Sequence, residues 1–275
     1  MSEREMSREK FGGSVLRYWR VVAASVCGTK HERKGQPCQD AHYWRVIPEG
    51  ILVVAVSDGA GSATLGDIGA IVAAQTSVET VCQKGTLPKD DEGLKTILSD
   101  ALKAAREAME TEATSRGVRL KELATTLILV IASPDFIAAA QIGDGAVVVG
   151  DCDGNIIGVT RPQIGEYINE TIFLTSPNAL NEAQMIVYRK DVAHIAVLSD
   201  GLQFLALQMP EGSPYAPFFV PLFQFMDKFT NVSEMQQQLI EFLASSRVRE
   251  RTDDDLTLFL AKWVEVKGDE GQETV

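Results

Sequence analysis

The sequence predicts an α+β fold in which sheets lie together with helices packed outside them. Three observations carry this. Short apolar runs that stop at Asp-Gly or Gly-rich bends recur along the chain and read as strands. Long stretches with apolar residues at helical spacing occur in pairs, one pair after the first strands and one before the last. Strands and helices are therefore grouped and do not alternate as βαβ units, which is the order of a layered α+β architecture.

The elements follow in order. Residues 19–27, 41–47 and 51–57 are β-type runs. Residues 65–82 form an alanine-rich helical stretch. In residues 90–116, Leu94, Ile97, Leu98, Ala101, Leu102, Ala105 and Met109 mark one face of a second helix. Strands are then expected at 125–132, 136–142, 146–151 and 156–160, with "CDGN" at 152–155 as the hairpin turn between the last two. A strand at 195–198, helices at about 216–229 and 233–246, and a final strand at 256–264 complete the set. The phenylalanines 218, 219, 223, 225 and 229 read as helix core. Residues 161–191 read as a loop with a short helix.

Composition narrows the function classes. The net charge of −12 argues against nucleic acid or an anionic membrane surface as partner, since both need a basic patch. No apolar run is long enough to span a bilayer, and the first residues "MSEREMSREKFGGS" hold no apolar signal-peptide core. The cytoplasm is the expected location. Cys27, Cys38, Cys82 and Cys152 are scattered without a C-x-x-C pair and read as reduced thiols.

The acids carry the chemistry. Asp40, Asp58, Asp144, Asp200 and the run Asp253–Asp255 each sit where an apolar strand begins or ends. Singly, each is a turn or cap residue. Together, carboxylates at the ends of adjacent strands converge on one rim, where their repulsion calls for a cation. Oxygen ligands without His or Cys neighbours suit magnesium or manganese, whereas zinc prefers nitrogen or sulfur. Gly59 allows the backbone to bend so that its carbonyl, with the Asp58 carboxylate, faces the ion. Ala60, Gly61 and Ser62 leave room for substrate.

The ordered set "QD … VVAVSDGAG … TT … IGDG … LSDG … DDLT" resembles the type-2C metal-dependent protein phosphatases, particularly a bacterial branch, over about residues 21–264. The resemblance implies a four-layer α-β-β-α sandwich of two mainly antiparallel sheets flanked by helix pairs. Composition marks residues 1–17 as a disordered segment and 266–275 as an acidic tail, which leaves one phosphatase-like domain at 18–265, and the resemblance marks 161–191 as the place of a flap insertion. It also implies that Asp58 bridges two Mg²⁺ or Mn²⁺ ions, that Gly59 adds a carbonyl, and that Asp200 and Asp254 complete the binuclear site. Asp40 then orients the attacking water, and Asp144 with Asp200 holds a third ion, as in many bacterial members. Asp255 stands where the family has Asn and reads as structural. The implied reaction is hydrolysis of phosphoserine or phosphothreonine on a protein substrate by direct attack of a metal-bridging water, with no phosphoenzyme.

Three positions depart from the family pattern. Gln39 stands where many members have Glu. Gly35 occupies the slot of the phosphate-clamping Arg, leaving Arg33 or Lys34 of the same loop as phosphate ligands. Ala60 replaces a His of eukaryotic members, with His31 and His42 as the remaining proton-donor candidates. The missing clamp keeps a second reading open, a catalytically weak module that binds phosphoproteins as a sensor or scaffold.

Overall fold

The computed structural model describes residues 15–163 and 171–267. One sheet contains β1 (Val15–Val26), β6 (Ala146–Gly150), β7 (Ile156–Gly158), β9 (His194–Leu198) and β12 (Leu256–Lys267) in the order β1-β12-β9-β6-β7. The other contains β2 (Asp40–Ile47), β3 (Ile51–Asp58), β4 (Leu127–Ser133), β5 (Phe136–Ile142) and β8 (Gln184–Tyr188) in the order β2-β3-β4-β5-β8. Every strand pair in both sheets is antiparallel. A two-residue ribbon, β10 (Leu207–Gln208) with β11 (Ser213–Pro214), stands apart.

Three apolar layers glue four structural layers together. Val54, Val56, Val130, Val147, Val197 and Phe259 fill the space between the sheets. Outside the second sheet lie α2 (Gly66–Cys82) and α3 (Asp91–Arg116), after the short α1 (Thr29–Lys34). All seven residues expected on the inner face of α3 are buried there, each core side chain contributing about 1.5–3 kcal/mol for the larger ones. Asp90 caps this helix by accepting from Gly93 N–H at 2.8 Å, and Gly117 ends it with a positive φ of 67°. Against the first sheet pack α6 (Ala216–Lys228) and α7 (Val232–Ala244), with α5 (Gln203–Ala206) and α8 (Ser246–Arg249) as single turns, while the single turn α4 (Ala179–Glu182) packs on the other side with α3. This is the four-layer α-β-β-α sandwich expected.

The structure corrects several boundaries. β1 begins at Val15, so residues 15–17 belong to a strand and not to a leading segment. The segment 161–191 is more than a loop with a short helix, because β8 within it forms the edge of the second sheet. The expected disorder of residues 1–14 and of the tail from 268 falls outside the described residues, as does 164–170 in the flap region. Of the phenylalanine cluster, Phe219 and Phe223 are buried while Phe229 stays 38% exposed. The four cysteines are free thiols. Among the described residues no helix is long and apolar enough to cross a membrane.

Candidate active site

β3 is buried along its length, and its apolar run can stop only where a polar group finds a rim. That group is Asp58, which lies directly opposite Asp40 in the β2–β3 ladder. Its backbone is held on three bonds by the entry to β4. Asp58 N–H donates to Thr126 Oγ1 at 3.0 Å, and its carbonyl accepts from Thr126 N–H at 2.9 Å and the Thr125 hydroxyl at 2.8 Å. At Gly59 a side chain would put Cβ 2.5 Å from the Gly66 carbonyl carbon, so glycine alone fits the bend.

Asp144 sits in the turn that carries the chain from β5 in one sheet to β6 in the other. Asp200 follows β9, and Asp254 precedes β12. Carboxylate oxygens of Asp58, Asp144 and Asp200 lie within 4.8 Å of one another. Asp254 and Gly59 line the same pocket, which has a volume of about 130 Å³. Asp40 is 7% exposed and lies behind Asp58, where its Oδ2 accepts the Ser199 hydroxyl at 2.7 Å.

Burial dominates the electrostatics. It raises Asp40 to about 8, and Asp200, also facing Asp144 and Asp254, to about 6. Asp58 is pushed well above the usual carboxylate range by burial and then by Asp40 and Asp200. Asp144 is raised by burial against an opposing hydrogen bond from Thr171. Asp40 Oδ1 and Asp200 Oδ1 are buried with no hydrogen-bond partner. Unpartnered carboxylate oxygens among like charges are costly, and an all-oxygen donor set answers that cost with a hard divalent cation. The residues present fit such an ion.

The family model for protein phosphatase 2C matches residues 27–244, which contain Asp40, Asp58, Asp144 and Asp200. The chain belongs to the protein phosphatase 2C family. A curated relative in Escherichia coli (strain K12), serine/threonine-protein phosphatase 3, is 36% identical over 254 residues, covering 90% of this chain and 99% of that one. Among solved structures, the serine/threonine phosphatase Stp1 of Staphylococcus aureus superposes with a TM-score of 0.59 at 14% identity, covering 98% of this chain and all of that one. The catalytic domain of the phosphatase PstP, solved with two manganese ions, gives 0.62 at 17% identity, covering 90% and 100%. The second 2C reading, a binding module, gains no support from these likenesses.

Against the 2C family pattern, the loops around the pocket differ from the sequence expectation in one respect. Arg33 and Lys34 are solvent-exposed and do not line the pocket, Arg33 turning back to Thr29 Oγ1 at 3.0 Å. Lys30 lines it instead, with its backbone N–H held by the Asp253 carbonyl at 2.9 Å. A Cβ on Gly61 would sit 3.7 Å from Lys30 Nζ, which places the ammonium over the bend after Asp58. Neither histidine lines the pocket: His42 Nδ1 is hydrogen-bonded to Ser25 Oγ at 2.9 Å, and His31 is 2% exposed.

Asp255 turns away from the pocket and ties its loops together. Its carboxylate accepts from Gly28 N–H and Gln39 N–H, both at 2.6 Å, and bonds His31 Nδ1 at 2.8 Å. Its own carbonyl would lie 2.0 Å from a Cβ on Gly201, the residue after Asp200. Four contributors escaped the sequence reading: Lys30, Ser199, and the flap-region residues Thr171 and Phe173, which also line the pocket. Thr171 donates to Asp144 Oδ2 at 2.7 Å. Only Ser199 carried a signal, as the residue before "DGL" at a strand end.

Proposed function

We propose that the protein hydrolyses phosphoserine and phosphothreonine on proteins with Mg²⁺ or Mn²⁺ as cofactor. The carrying observation is the convergence of Asp58, Asp144 and Asp200 oxygens within 4.8 Å at the floor of a pocket in a 2C-family chain. Asp58, Asp200, Asp254 and the Gly59 carbonyl would hold two ions, and Asp144 with Asp200 would hold a third. Bound divalent ions supply an activated water near neutral pH and neutralise phosphoryl charge.

The chain's own groups do the rest. Asp40, with Oδ2 engaged by Ser199, keeps Oδ1 as a fixed acceptor that orients the nucleophile and receives its proton. Thr125 and Thr126 hold Asp58 in place, and the small residues Ala60 and Gly61 admit the phosphorylated side chain. Lys30 takes the phosphate as a point charge from the position the clamping Arg leaves empty at Gly35. Phosphorylated proteins are thus the partners, and the cytoplasm is the compartment this chemistry expects.

The test is hydrolysis of para-nitrophenyl phosphate and a phosphothreonine peptide in Mn²⁺, in Mg²⁺ and in EDTA. Turnover that needs metal and disappears in Asp58→Asn is the expected result; none in a folded, metal-binding protein would overturn it. Lys30→Met is expected to raise KM about tenfold, the loss of one charge-assisted contact, while Arg33→Met and Lys34→Met leave it unchanged.

A further inference from the structure

Beside the catalytic pocket, α5, α6 and α8 enclose an apolar groove of about 650 Å³ that the reaction does not use. Its wall includes Phe218, Leu222 and Phe242, and at its edge Phe204 is 78% exposed and Tyr215 44%. A phenylalanine that exposed, continuous with an apolar groove, marks a contact surface more than a solitary surface hydrophobe does.

The groove also has a charge signature. Arg247 of α8 and Arg251, in the turn just after it, both line the groove. Arg249 between them is engaged by Glu32 at 2.8 and 2.9 Å. Among the described residues neither Arg247 nor Arg251 has an acidic partner, in a chain whose net charge is −12. Two arginines without acidic partners in the same groove as aromatic side chains favour an occupant that is acidic and apolar.

Chain connectivity fixes how near the groove lies to the reaction. Phe204 follows the metal-site residue Asp200 by four positions, so their Cα atoms are at most about 14 Å apart. Arg251 precedes Asp254 by three, which limits that separation to about 11 Å. An extended peptide advances about 3.3 Å per residue. A phosphorylated residue seated in the pocket therefore carries its neighbours to the edge of the groove within roughly four positions.

We propose that this groove docks the segment of the phosphoprotein substrate flanking its phosphorylated residue, selecting an aromatic or large aliphatic side chain accompanied by carboxylates. The inference names the substrate class of the reading above and rests on it.

Two phosphothreonine peptides are the probes, one with a Phe and three Glu placed three to seven residues from the phosphothreonine, the other with Ser and Lys in their place. Both are made with the extension on either side. Fluorescence anisotropy of the unphosphorylated forms in EDTA reads groove binding without turnover. The expected result is about a tenfold preference for the acidic aromatic peptide in Kd, and in kcat/KM with metal, for one of the two orientations. Phe204→Ala and Arg247→Glu/Arg251→Glu are each expected to abolish that preference while leaving para-nitrophenyl phosphate turnover unchanged. No preference in the native protein, or a preference that survives both variants, would overturn the proposal. So would concentration-dependent dimerisation lost in Phe204→Ala, which makes a second copy the occupant. If turnover of para-nitrophenyl phosphate fails while the binding preference holds, the phosphatase reading falls and the groove stands.

Discussion

Ser199 donates its hydroxyl proton to Asp40 Oδ2 at 2.7 Å across the gap between the two sheets. Ser199 follows β9 in one sheet and Asp40 opens β2 in the other. The same serine oxygen accepts from Thr257 N–H at 2.9 Å, so a single hydroxyl joins three strands at the catalytic rim. Ser199→Ala takes one of two hydroxyl partners, the other being Thr257, from a buried carboxylate whose Oδ1 is already unpartnered. The expected cost is about 1–3 kcal/mol, read as a lower midpoint in urea denaturation, with kcat reduced more than KM.

The pH dependence of the metal-free protein follows from the raised carboxylates. In the unfolded chain they ionise near pH 4, whereas Asp200 holds its proton to about 6 and Asp40 to about 8 when folded. Between those limits the folded state binds more protons than the unfolded one, so stability falls as pH rises. In EDTA the melting temperature should therefore decline from pH 5 to pH 8. Saturating Mn²⁺ should reverse much of the decline at pH 8, because the ion replaces the protons. A melting temperature that is flat with pH in EDTA would contradict the crowding of charge in the pocket.

Asp58→Asn should separate stability from function. It removes one of several like charges packed within a small volume, so the variant should melt higher than the native protein in EDTA at pH 8. It should also lose most of the gain that Mn²⁺ gives the native protein, which at a hundredfold excess over Kd amounts to about 2.7 kcal/mol. Differential scanning calorimetry with and without metal checks both directions in one series.

Asp255 and Gly201 form a joint that supports the site from outside. Asp255→Ala leaves Gly28 N–H, Gln39 N–H and His31 without their buried acceptor, at a cost of about 3 kcal/mol or more. Gly201→Ala forces apart two backbones that already touch, and should destabilise by a comparable amount. Asp255→Asn keeps one acceptor oxygen, so it should lose less than Asp255→Ala in chemical denaturation while retaining measurable turnover.

Particular residues show what the sequence could and could not disclose. Asp58 and Asp200 were legible because each ends a run buried on both faces, and a charge in that position has to reach a rim. The inner face of α3 was legible because its helical period is unbroken from Leu94 to Met109. β8 was not, since "QMIVY" is an edge strand whose five residues are all half-buried, with no alternation to mark it. Lys30 was hidden for another reason. α1 is six residues long, and its rotation is set by Asp253 and Asp255 from the far end of the chain, not by any local pattern. Thr171 acts through a hydrogen bond to a distant carboxylate, which short-range reading cannot see, and the bond from Ser199 to Asp40 was hidden in the same way although its place before Asp200 at a strand end marked it.

β12 is the last strand of the chain, yet it lies between β1 and β9 in the interior of its sheet, and Asp254 arrives with it. On a ribosome, everything through Asp200 emerges while that central position still stands open. The nascent chain holds most of the acids but no finished sandwich to bring them together. Catalytic competence therefore begins only once β12 has been made, and a product stopped short of residue 256 would be inert. Half-made copies cannot strip phosphate from the cell's proteins.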